Sequence, residues 1–228
     1  MAKAQFYGSG FPYKKVKDLP GKLIVLEGTD GVGRSTQVGL LRKWLERSGY
    51  AVSDTGLRRS PLTQPGLNEA KEGNTLTPLT ISLFYATDFA DRLENQIIPA
   101  LKAGFLVLSD RYFYSIIARD VVRGIDARWA RNVYGFALIP DIIFYLKADI
   151  DTLVTRIVHG RGFDFWEAGM DITKANNLYD SFCTYQKSMI DQFDNMAVEY
   201  QFTTIDANQS VKSIHDEIKF KLGPILDR

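Results

Sequence analysis

The chain has 228 residues, of which 45% are hydrophobic and 24% are charged, and its formal net charge is +1. Such a chain is long enough for an independent core, and its near-neutral charge predicts neither nucleic acid nor an anionic membrane as a partner. The single cysteine, Cys183, excludes a disulfide framework and a four-thiolate zinc site. No apolar run reaches the roughly 18 residues of a membrane span, and the amino terminus lacks the apolar core of a signal peptide, so we expect a cytoplasmic protein.

Residues 1–20 show neither a helical nor a strand period, and we predict an extension ahead of a single domain over residues 21–228. Five short β-like runs follow, with helical patterns between them, at residues 22–27, 51–55, 105–109, 142–146 and 202–205. Alternating β and α segments predict an α/β fold with a parallel sheet covered by helices.

Apolar residues at helical spacing mark three of the helices. The first follows strand one, the second is a long helix over residues 79–101, and the third lies near the carboxyl terminus. Their stripes consist of Val38, Leu41 and Leu45, then Leu79, Leu83, Ala86, Ala90, Leu93 and Ile97, then Val211, Ile214, Ile218 and Leu222.

A glycine-rich stretch follows the first strand and opens the first helix. It fits the P-loop pattern G-x-x-x-x-G-K-[ST], except that arginine replaces lysine. Its backbone N–H groups and the helix terminus predict phosphate binding, and the hydroxyl after the cation predicts a Mg²⁺ ligand. The alternative is a plain glycine-rich turn. The residues concerned are Gly28, Thr29, Asp30, Gly31, Val32, Gly33, Arg34, Ser35 and Thr36.

Arg34 leaves three outcomes open, because a guanidinium is planar and bulkier than the ammonium group it replaces. Transfer is retained with a shifted phosphate, or nucleotide binds and transfer is slow, or the loop binds triphosphate poorly. We favour the first outcome, with Arg34 neutralising charge during transfer.

The chain resembles bacterial thymidylate kinases from about Leu23 to Ile218. The matching stretches are LEGTDGVGRSTQ (26–37), LFYATDFADRLENQIIPALKAG (83–104), SDRYFYS (109–115), PDIIFYL (140–146) and IDAN (205–208). The resemblance implies a three-layer P-loop fold with a five-stranded parallel sheet. It also implies phosphoryl transfer from ATP to a nucleoside monophosphate, usually dTMP, with Mg²⁺, and a homodimer.

Asp110 and Arg111 follow the third strand, at the sheet edge where open α/β folds bind ligands. Asp110 offers an oxygen to Mg²⁺ or its waters, and Arg111 offers a fork for a phosphate. The alternative is an ion pair that caps the strand. In the resembling family this pair lines the active site.

The resemblance also implies an acceptor site. Asp30 matches an acidic residue that contacts the acceptor sugar, although an Asx turn is an alternative role. Either Arg58 or Arg59 is expected to face the acceptor phosphate, and we favour Arg58. Tyr85 stacks on the base or packs in the core. Ser115 and Arg119 complete the predicted substrate contacts.

Residues 156–168 resemble the family's lid, which closes over the phosphates and delivers arginines to the transferring group. Arg156 and Arg161 are the candidates, and glycines flank Arg161. A solvated loop is the alternative.

The base-reading positions depart from the family pattern. Phe89 stands where the family has arginine, and Arg92 lies almost one turn further on as a possible substitute. Arg119-Asp120 replaces Tyr-Gln, and an ionised aspartate only accepts hydrogen bonds. We therefore keep three hypotheses: a dTMP kinase, an inactive nucleotide-binding homologue, and a kinase for another small phosphorylated acceptor.

Overall fold

The computed structural model describes residues 4–73 and 77–226. Within this part of the chain, strands β1 (Lys22–Glu27), β2 (Val52–Gly56), β3 (Leu106–Asp110), β4 (Ile142–Lys147) and β5 (Thr203–Asp206) form one sheet. Their order is β2-β3-β1-β4-β5, and all neighbours run parallel. The predicted five-stranded α/β fold is confirmed.

Helices connect the strands and cover the sheet. In chain order they are α1 (Arg34–Arg47), α2 (Gln64–Gly73), α3 (Pro78–Arg92), α4 (Ile98–Lys102), α5 (Phe113–Val122), α6 (Ala127–Val133), α7 (Ile150–Val158), α8 (Leu178–Glu199) and α9 (Val211–Leu226).

Side chains of β1 alternate between two cores, as a strand's pleat requires. Leu23 and Val25 face the core formed with α3, α5 and α8. Ile24 and Leu26 face the core formed with α1, α7 and α9. The sheet is therefore the middle of three layers, and both of its faces are buried.

The single helix predicted over residues 79–101 is interrupted. After α3, residues Leu93–Ile97 form a π-helical turn, and α4 begins with Pro99 in its first turn. Proline has no N–H to donate, and its ring clashes with the carbonyl one turn earlier, so the chain widens before it. The apolar stripe alone contained no sign of this change in pitch.

Residues 4–20 contain no named helix or strand, but they pack onto the domain. Tyr7 N–H donates to the carbonyl of Ala137 at 3.1 Å, and Gly8 N–H donates to the carbonyl of Gly135 at 2.9 Å. Phe11 and Val16 are buried in the larger core. The described part of the predicted extension is thus integrated with the domain, while residues 1–3 and 227–228 lie outside the described ranges.

Candidate active site

The strand order brings three loops together at one edge of the sheet. The phosphate loop leaves β1, Arg58 follows β2, and Arg111 follows β3. Since these strands are adjacent, their carboxyl ends open on a shared space. That space is a pocket of about 600 Å³ with both basic and acidic walls. Its described basic and acidic lining residues are Asp30, Arg34, Arg58, Arg59, Asp110, Arg111, Arg119, Asp120, Arg123, Arg161, Asp164 and Glu167.

The phosphate loop requires glycine where its backbone turns. Gly28 has a φ of 143°, and a Cβ there would lie 2.5 Å from the carbonyl oxygen of Leu146. Gly33 has a φ of 97° and is the N-cap of α1, which no described side chain caps. The helix therefore presents its first N–H groups and its partial positive charge to an anion.

Arg34 lies inside the phosphate loop and is 8% exposed. Its Nη1 donates to the carbonyl oxygens of Gly28 and Thr29. Its Nε donates to Asp110 Oδ1 at 3.1 Å. The guanidinium thus spans from the loop backbone to the end of β3, and the loop accommodates the larger side chain by hydrogen bonding to it.

Asp110 has protein donors on both carboxylate oxygens. Arg34 contacts Oδ1, and the Ser35 hydroxyl donates to Oδ2 at 2.5 Å. Although burial works in the opposite direction, the Arg34 guanidinium and the Ser35 hydroxyl hold the pKa of Asp110 below its ordinary value. An ionised carboxylate beside a hydroxyl suits Mg²⁺, which prefers oxygen ligands and keeps several sites for water and phosphate.

Ser35 and Asp110 are a sparse donor set for a cation. Among the described residues there is no group of three or more His, Cys, Asp or Glu side chains that could hold a metal ion. A cation here would therefore depend on phosphate and water oxygens for its remaining ligands.

Arg111 adopts a left-handed backbone, with a φ of 74°. Such a conformation costs roughly 1–2 kcal/mol for a side chain with Cβ and is concentrated at functional sites. Arg111 donates to Asp30 Oδ1, to Ser115 Oγ at 3.0 Å and to the Gly28 carbonyl at 3.3 Å. Burial and the neighbouring Arg34 lower its pKa to about 10, so it stays charged at neutral pH.

Asp30 orients two arginines from inside the phosphate loop. Its Oδ1 accepts from Arg111 and its Oδ2 accepts from Arg119 Nη2 at 3.3 Å. Burial favours the neutral acid, but the two guanidinium groups prevail and hold the pKa of Asp30 well below its usual range. Both carboxylate oxygens are therefore engaged by arginine, and the predicted sugar contact requires an exchange of partners.

Ser115 was predicted to contact substrate, and the structure places it behind Arg111. The side chain is fully buried and absent from the described pocket lining. Its hydroxyl donates to Glu27 Oε2 at 2.5 Å and accepts from Arg111. Glu27, fully buried at the end of β1, also accepts the Tyr112 N–H at 2.7 Å, and burial raises its pKa. Ser115 and Glu27 therefore position Arg111 from behind.

Arg58 and Arg59 both line the pocket but differ in their partners. Arg59 donates to Asp54 Oδ2 at 2.8 Å, whereas Arg58 makes no ion pair with any residue that the structure describes. Arg58 also has a left-handed backbone, with a φ of 58°. The exposed, uncommitted guanidinium favours Arg58 as the one that meets an anion.

The loop that carries Arg58 is fixed by Asp88, which sequence reasoning noted only as the neighbour of a lost arginine. The fully buried Asp88 carboxylate accepts the N–H groups of Arg58 at 3.1 Å and Ser60 at 3.0 Å. It also accepts Arg92 Nε at 2.9 Å. Arg92 is itself fully buried and does not line the described pocket, so it is not a substitute base reader. The i, i+4 spacing of Asp88 and Arg92 on α3 was the signal in the sequence that could have revealed this ion pair.

The residues at the predicted base-reading positions on α3 and α5 fall into two groups, one in the core and one at the pocket. Phe89 is fully buried and packs edge-to-face on Tyr112, with ring centroids 4.8 Å apart. Tyr85 and Asp120 line the pocket. Asp120 Oδ2 accepts the Ser82 hydroxyl at 2.5 Å, and burial raises the pKa of Asp120 to about 6. Asp120, and not Phe89, faces the space for a base.

The two predicted lid arginines also differ in where they lie. Arg161 lines the pocket, is largely exposed, and pairs with Glu167. Arg156 instead donates to the carbonyls of Val32 at 3.0 Å and Ala207 at 2.7 Å, and it is absent from the described lining. The Arg156 guanidinium therefore braces the outside of the phosphate loop, and its predicted role in transfer stays a prediction.

Arg123 holds the segment that follows residues 156–168 and was missed by sequence reasoning. It donates to both oxygens of Asp171, at 2.8 and 3.1 Å, and to the hydroxyl of Tyr185 at 2.6 Å. It is the C-cap of α5, four positions after Arg119, and this i, i+4 spacing was the signal available. The anchor leaves Phe165, Trp166 and Glu167 along the pocket wall.

Comparison with known proteins gives a consistent result. The family model described as thymidylate kinase matches residues 26–218. The chain is 40% identical over 211 residues to a probable thymidylate kinase 2 of Saccharolobus solfataricus, covering 91% of this chain and 98% of that protein. It is 32% identical to a probable thymidylate kinase of Thermococcus kodakarensis, covering 86% and 94%. A thymidylate kinase of Brachyspira hyodysenteriae is 33% identical, with 88% and 92% covered. The chain belongs to the thymidylate kinase family.

Proposed function

We propose that this protein is a nucleoside-monophosphate kinase that transfers the terminal phosphoryl group of ATP to dTMP. The names of its relatives support the reaction and the acceptor. The observation that carries the proposal is the convergence of Arg34, Arg58, Arg111 and Arg119 on one pocket at the carboxyl ends of adjacent strands. The triphosphate of ATP and the monophosphate of the acceptor, bound side by side, need such a concentration of positive charge.

The donor binds at the phosphate loop in this proposal. Backbone N–H groups of residues 28–36 cradle the phosphates of ATP, and Arg34 neutralises them. Ser35 and Asp110 would hold Mg²⁺, which would neutralise charge on the donor phosphates. The adjacency of Ser35 Oγ and Asp110 Oδ2 supports this assignment.

The acceptor binds at the other end of the pocket. Arg58 and Arg111 hold its phosphate, Asp30 orients Arg111 and Arg119, and Tyr85 stacks on the base. The left-handed backbones at Arg58 and Arg111 support the phosphate assignment, because strain of this kind persists where the surrounding structure fixes a functional side chain. Asp120 faces the polar edge of the base, and the buried Ser82 hydroxyl holds the Asp120 carboxylate from behind.

The chemistry needs positioning more than acid–base catalysis. An oxygen of the acceptor phosphate attacks the terminal phosphorus of ATP, and the bond to the ADP oxygen breaks. This nucleophile is already ionised at neutral pH, so no base has to remove a proton from it. Arg34, Arg111 and Arg161 supply the charge that stabilises the transferring group.

The location and the oligomeric state of the enzyme are proposed on observations other than those that concern its chemistry. We propose a cytoplasmic location, supported by the single thiol of Cys183. In the described part of the chain no helix combines the length and the hydrophobicity needed to cross a bilayer. We also propose a homodimer, supported by the family resemblance and by the exposed Leu79 and Leu83 on α3, which are 54% and 46% accessible.

Release of ADP with purified protein tests the reaction. We expect ADP to appear when dTMP, ATP and Mg²⁺ are all present, and to appear more slowly with dUMP, dCMP, dGMP or dAMP in place of dTMP. The Asp110→Ala variant is the control for a contaminating kinase and should be inactive. No dependence of ADP release on any nucleoside monophosphate would remove the proposal, and a preference for another acceptor would replace dTMP.

A further inference from the structure

We infer that Arg34 competes with the divalent cation for Asp110, so that a cation binds weakly at this loop until nucleotide phosphates draw the guanidinium away. This inference rests on the nucleotide-binding part of the proposed function and is independent of the acceptor. It assigns to Arg34 a control over metal loading in addition to its contact with phosphate.

The contacts of Asp110 carry the first step. The carboxylate is almost entirely surrounded by the protein, and Arg34 and Ser35 take one oxygen each. The side chains of Arg34 and Asp110 are 9% and 13% accessible, so water screens their attraction poorly. A cation that uses Asp110 must either displace this guanidinium or bind within a few ångströms of it.

The neighbouring charge adds to the competition. Arg111 also acts on Asp110, and together with Arg34 it favours the ionised carboxylate. Arg34 therefore already compensates the charge of Asp110, and Arg111, which is itself paired with Asp30, adds positive charge nearby. Because these guanidinium groups offset the attraction of the carboxylate for a cation, a divalent cation without phosphate binds Asp110 weakly.

The shape of arginine makes the competition specific to this residue. Nε reaches Asp110 while Nη1 binds the carbonyls of Gly28 and Thr29, so one planar group is held at both ends. A lysine ammonium is a single point on a flexible stem and has no second nitrogen for such a bridge.

Nucleotide provides the means of release. Phosphate oxygens carry negative charge, unlike the carbonyls of Gly28 and Thr29, and a polyphosphate carries more of it than the single carboxylate of Asp110, so it can accept bidentate hydrogen bonds from the guanidinium. When phosphates occupy the loop, the favoured partner of Arg34 changes from Gly28, Thr29 and Asp110 to the nucleotide. Asp110 then becomes available to the cation, so the two ligands bind with positive cooperativity.

Titration with Mn²⁺, followed by the electron paramagnetic resonance signal of the free ion, tests this on the full-length protein. The main variant is Arg34→Gln, which removes the charge and keeps an amide donor for the loop carbonyls. Without nucleotide, we expect Arg34→Gln to bind Mn²⁺ on the order of 10-fold more tightly than the natural protein. The Mn²⁺ affinity of Arg34→Lys should lie between the affinities of Arg34→Gln and the natural protein. The matched control is Arg42→Gln on the exposed side of the same helix, where no change is expected.

A second titration adds saturating ADP. The difference in Mn²⁺ affinity between Arg34→Gln and the natural protein should then shrink to less than about 3-fold, because nucleotide has already moved Arg34. Equal or weaker Mn²⁺ binding by Arg34→Gln in the absence of nucleotide would overturn the inference. Circular dichroism checks that each variant is folded. If Arg34→Gln does not fold, Arg34→Lys takes its place, and Mn²⁺ binding equal to or weaker than that of the natural protein would again overturn the inference. Neither arm contains an acceptor, so failure of dTMP phosphorylation leaves the result interpretable.

Discussion

The proposed phosphate end and the proposed base end of the pocket are built in different ways. At the proposed phosphate end, backbone turns and arginines from three neighbouring strand ends converge, and Asp30, Glu27 and Ser115 hold Arg111 in place. At the proposed base end, Tyr85 on α3 and Asp120 on α5 line the same space, and the buried Ser82 donates to Asp120. A contiguous motif and a sheet edge define the first region, whereas helix packing defines the second.

This difference teaches that the two ends respond to substitution through different quantities. At the phosphate end, changes to groups that contact the transferring phosphoryl group, such as Arg111, should act on the transition state, where charge develops, and should lower kcat. A change to Arg58, which holds only the acceptor phosphate, should instead raise the KM for dTMP. At the base end, changes should act on acceptor binding or on the stability of the fold. Four substitutions, taken from the largest expected effect to the smallest, separate these possibilities.

Arg111→Ala should reduce kcat on the order of 1000-fold, since arginines that act on a transferring phosphoryl group are typically worth that much. The assay is ADP release at saturating ATP and dTMP, and Arg111→Lys tests whether charge alone suffices. Thermal unfolding is measured in parallel, because Asp30 and Ser115 lose a partner. A loss smaller than 10-fold would place Arg111 outside the transfer step.

Asp88→Asn should lower the free energy of unfolding by about 3 kcal/mol, because it leaves the buried Arg92 guanidinium without a counter-charge. Unfolding in urea measures the change. It should also raise the KM for dTMP, since the loop carrying Arg58 loses its charged acceptor. Asp91→Asn, at a partly exposed neighbour that accepts the Ser60 hydroxyl, is the control and should cost less than about 1 kcal/mol. Equal effects of the two variants would contradict the role of Asp88.

Asp120→Asn should change stability in a pH-dependent way. Burial raises the pKa of Asp120 to about 6 in the folded protein, above its unfolded value, so folding favours the protonated carboxyl. The contribution of Asp120 to stability is therefore full below about pH 4 and is lost as the pH rises through 6. We expect the asparagine variant to be more stable than the natural protein by about 3 kcal/mol at pH 8 and equal to it near pH 4.

Urea unfolding at the two pH values provides the comparison for Asp120. The Ser82→Ala variant is a companion, because the Ser82 hydroxyl lowers the pKa of Asp120 and its removal should enlarge the pH dependence. A difference between Asp120→Asn and the natural protein that is the same at pH 4 and pH 8 would show that the carboxyl does not titrate in this interval.

Arg58→Ala and Arg59→Ala form a matched pair with the smallest expected effects. Arg58 is the uncommitted guanidinium, so its loss should raise the KM for dTMP about 10-fold, the cost of one charged hydrogen bond. Arg59 is engaged by Asp54 near the surface, and its loss should change KM less than about 3-fold. Initial rates across a range of dTMP concentrations decide between them, and the reverse order would assign the acceptor phosphate to Arg59.

Local patterns in the sequence predicted what depends on neighbouring residues. The strands have the apolar runs of a sheet buried on both faces, and the loop at 28–36 is contiguous, so fold, sheet edge and phosphate loop followed from reading along the chain. Helix α8 was overlooked although Phe182, Tyr185, Met189, Phe193 and Met196 form its buried stripe. Its many polar residues, and the aromatic and sulfur side chains of that stripe, obscured the period.

Contacts between distant segments account for the rest. Arg156 and Arg161 are five positions apart on the same segment, yet the carbonyls of Val32 and Ala207 capture only the first. Asp88 and Arg123 act through partners 28 to 62 residues away. Phe89 lies in the core because its ring packs against those of Tyr112 and Tyr134. A pattern along one segment contains no information about such partners.

The packing of the amino-terminal segment has a practical consequence for where the folding unit begins. Tyr7 meets the rings of Phe113 and Tyr200, with centroids 5.4 and 5.2 Å away, and its hydroxyl lies 2.6 Å from that of Tyr114. Family similarity begins at residue 26, so a fragment trimmed to that boundary would uncover these aromatic rings and lose part of the first strand. We therefore expect a fragment that starts at residue 26 to be less stable than the full chain, although it contains the whole stretch that matches the family.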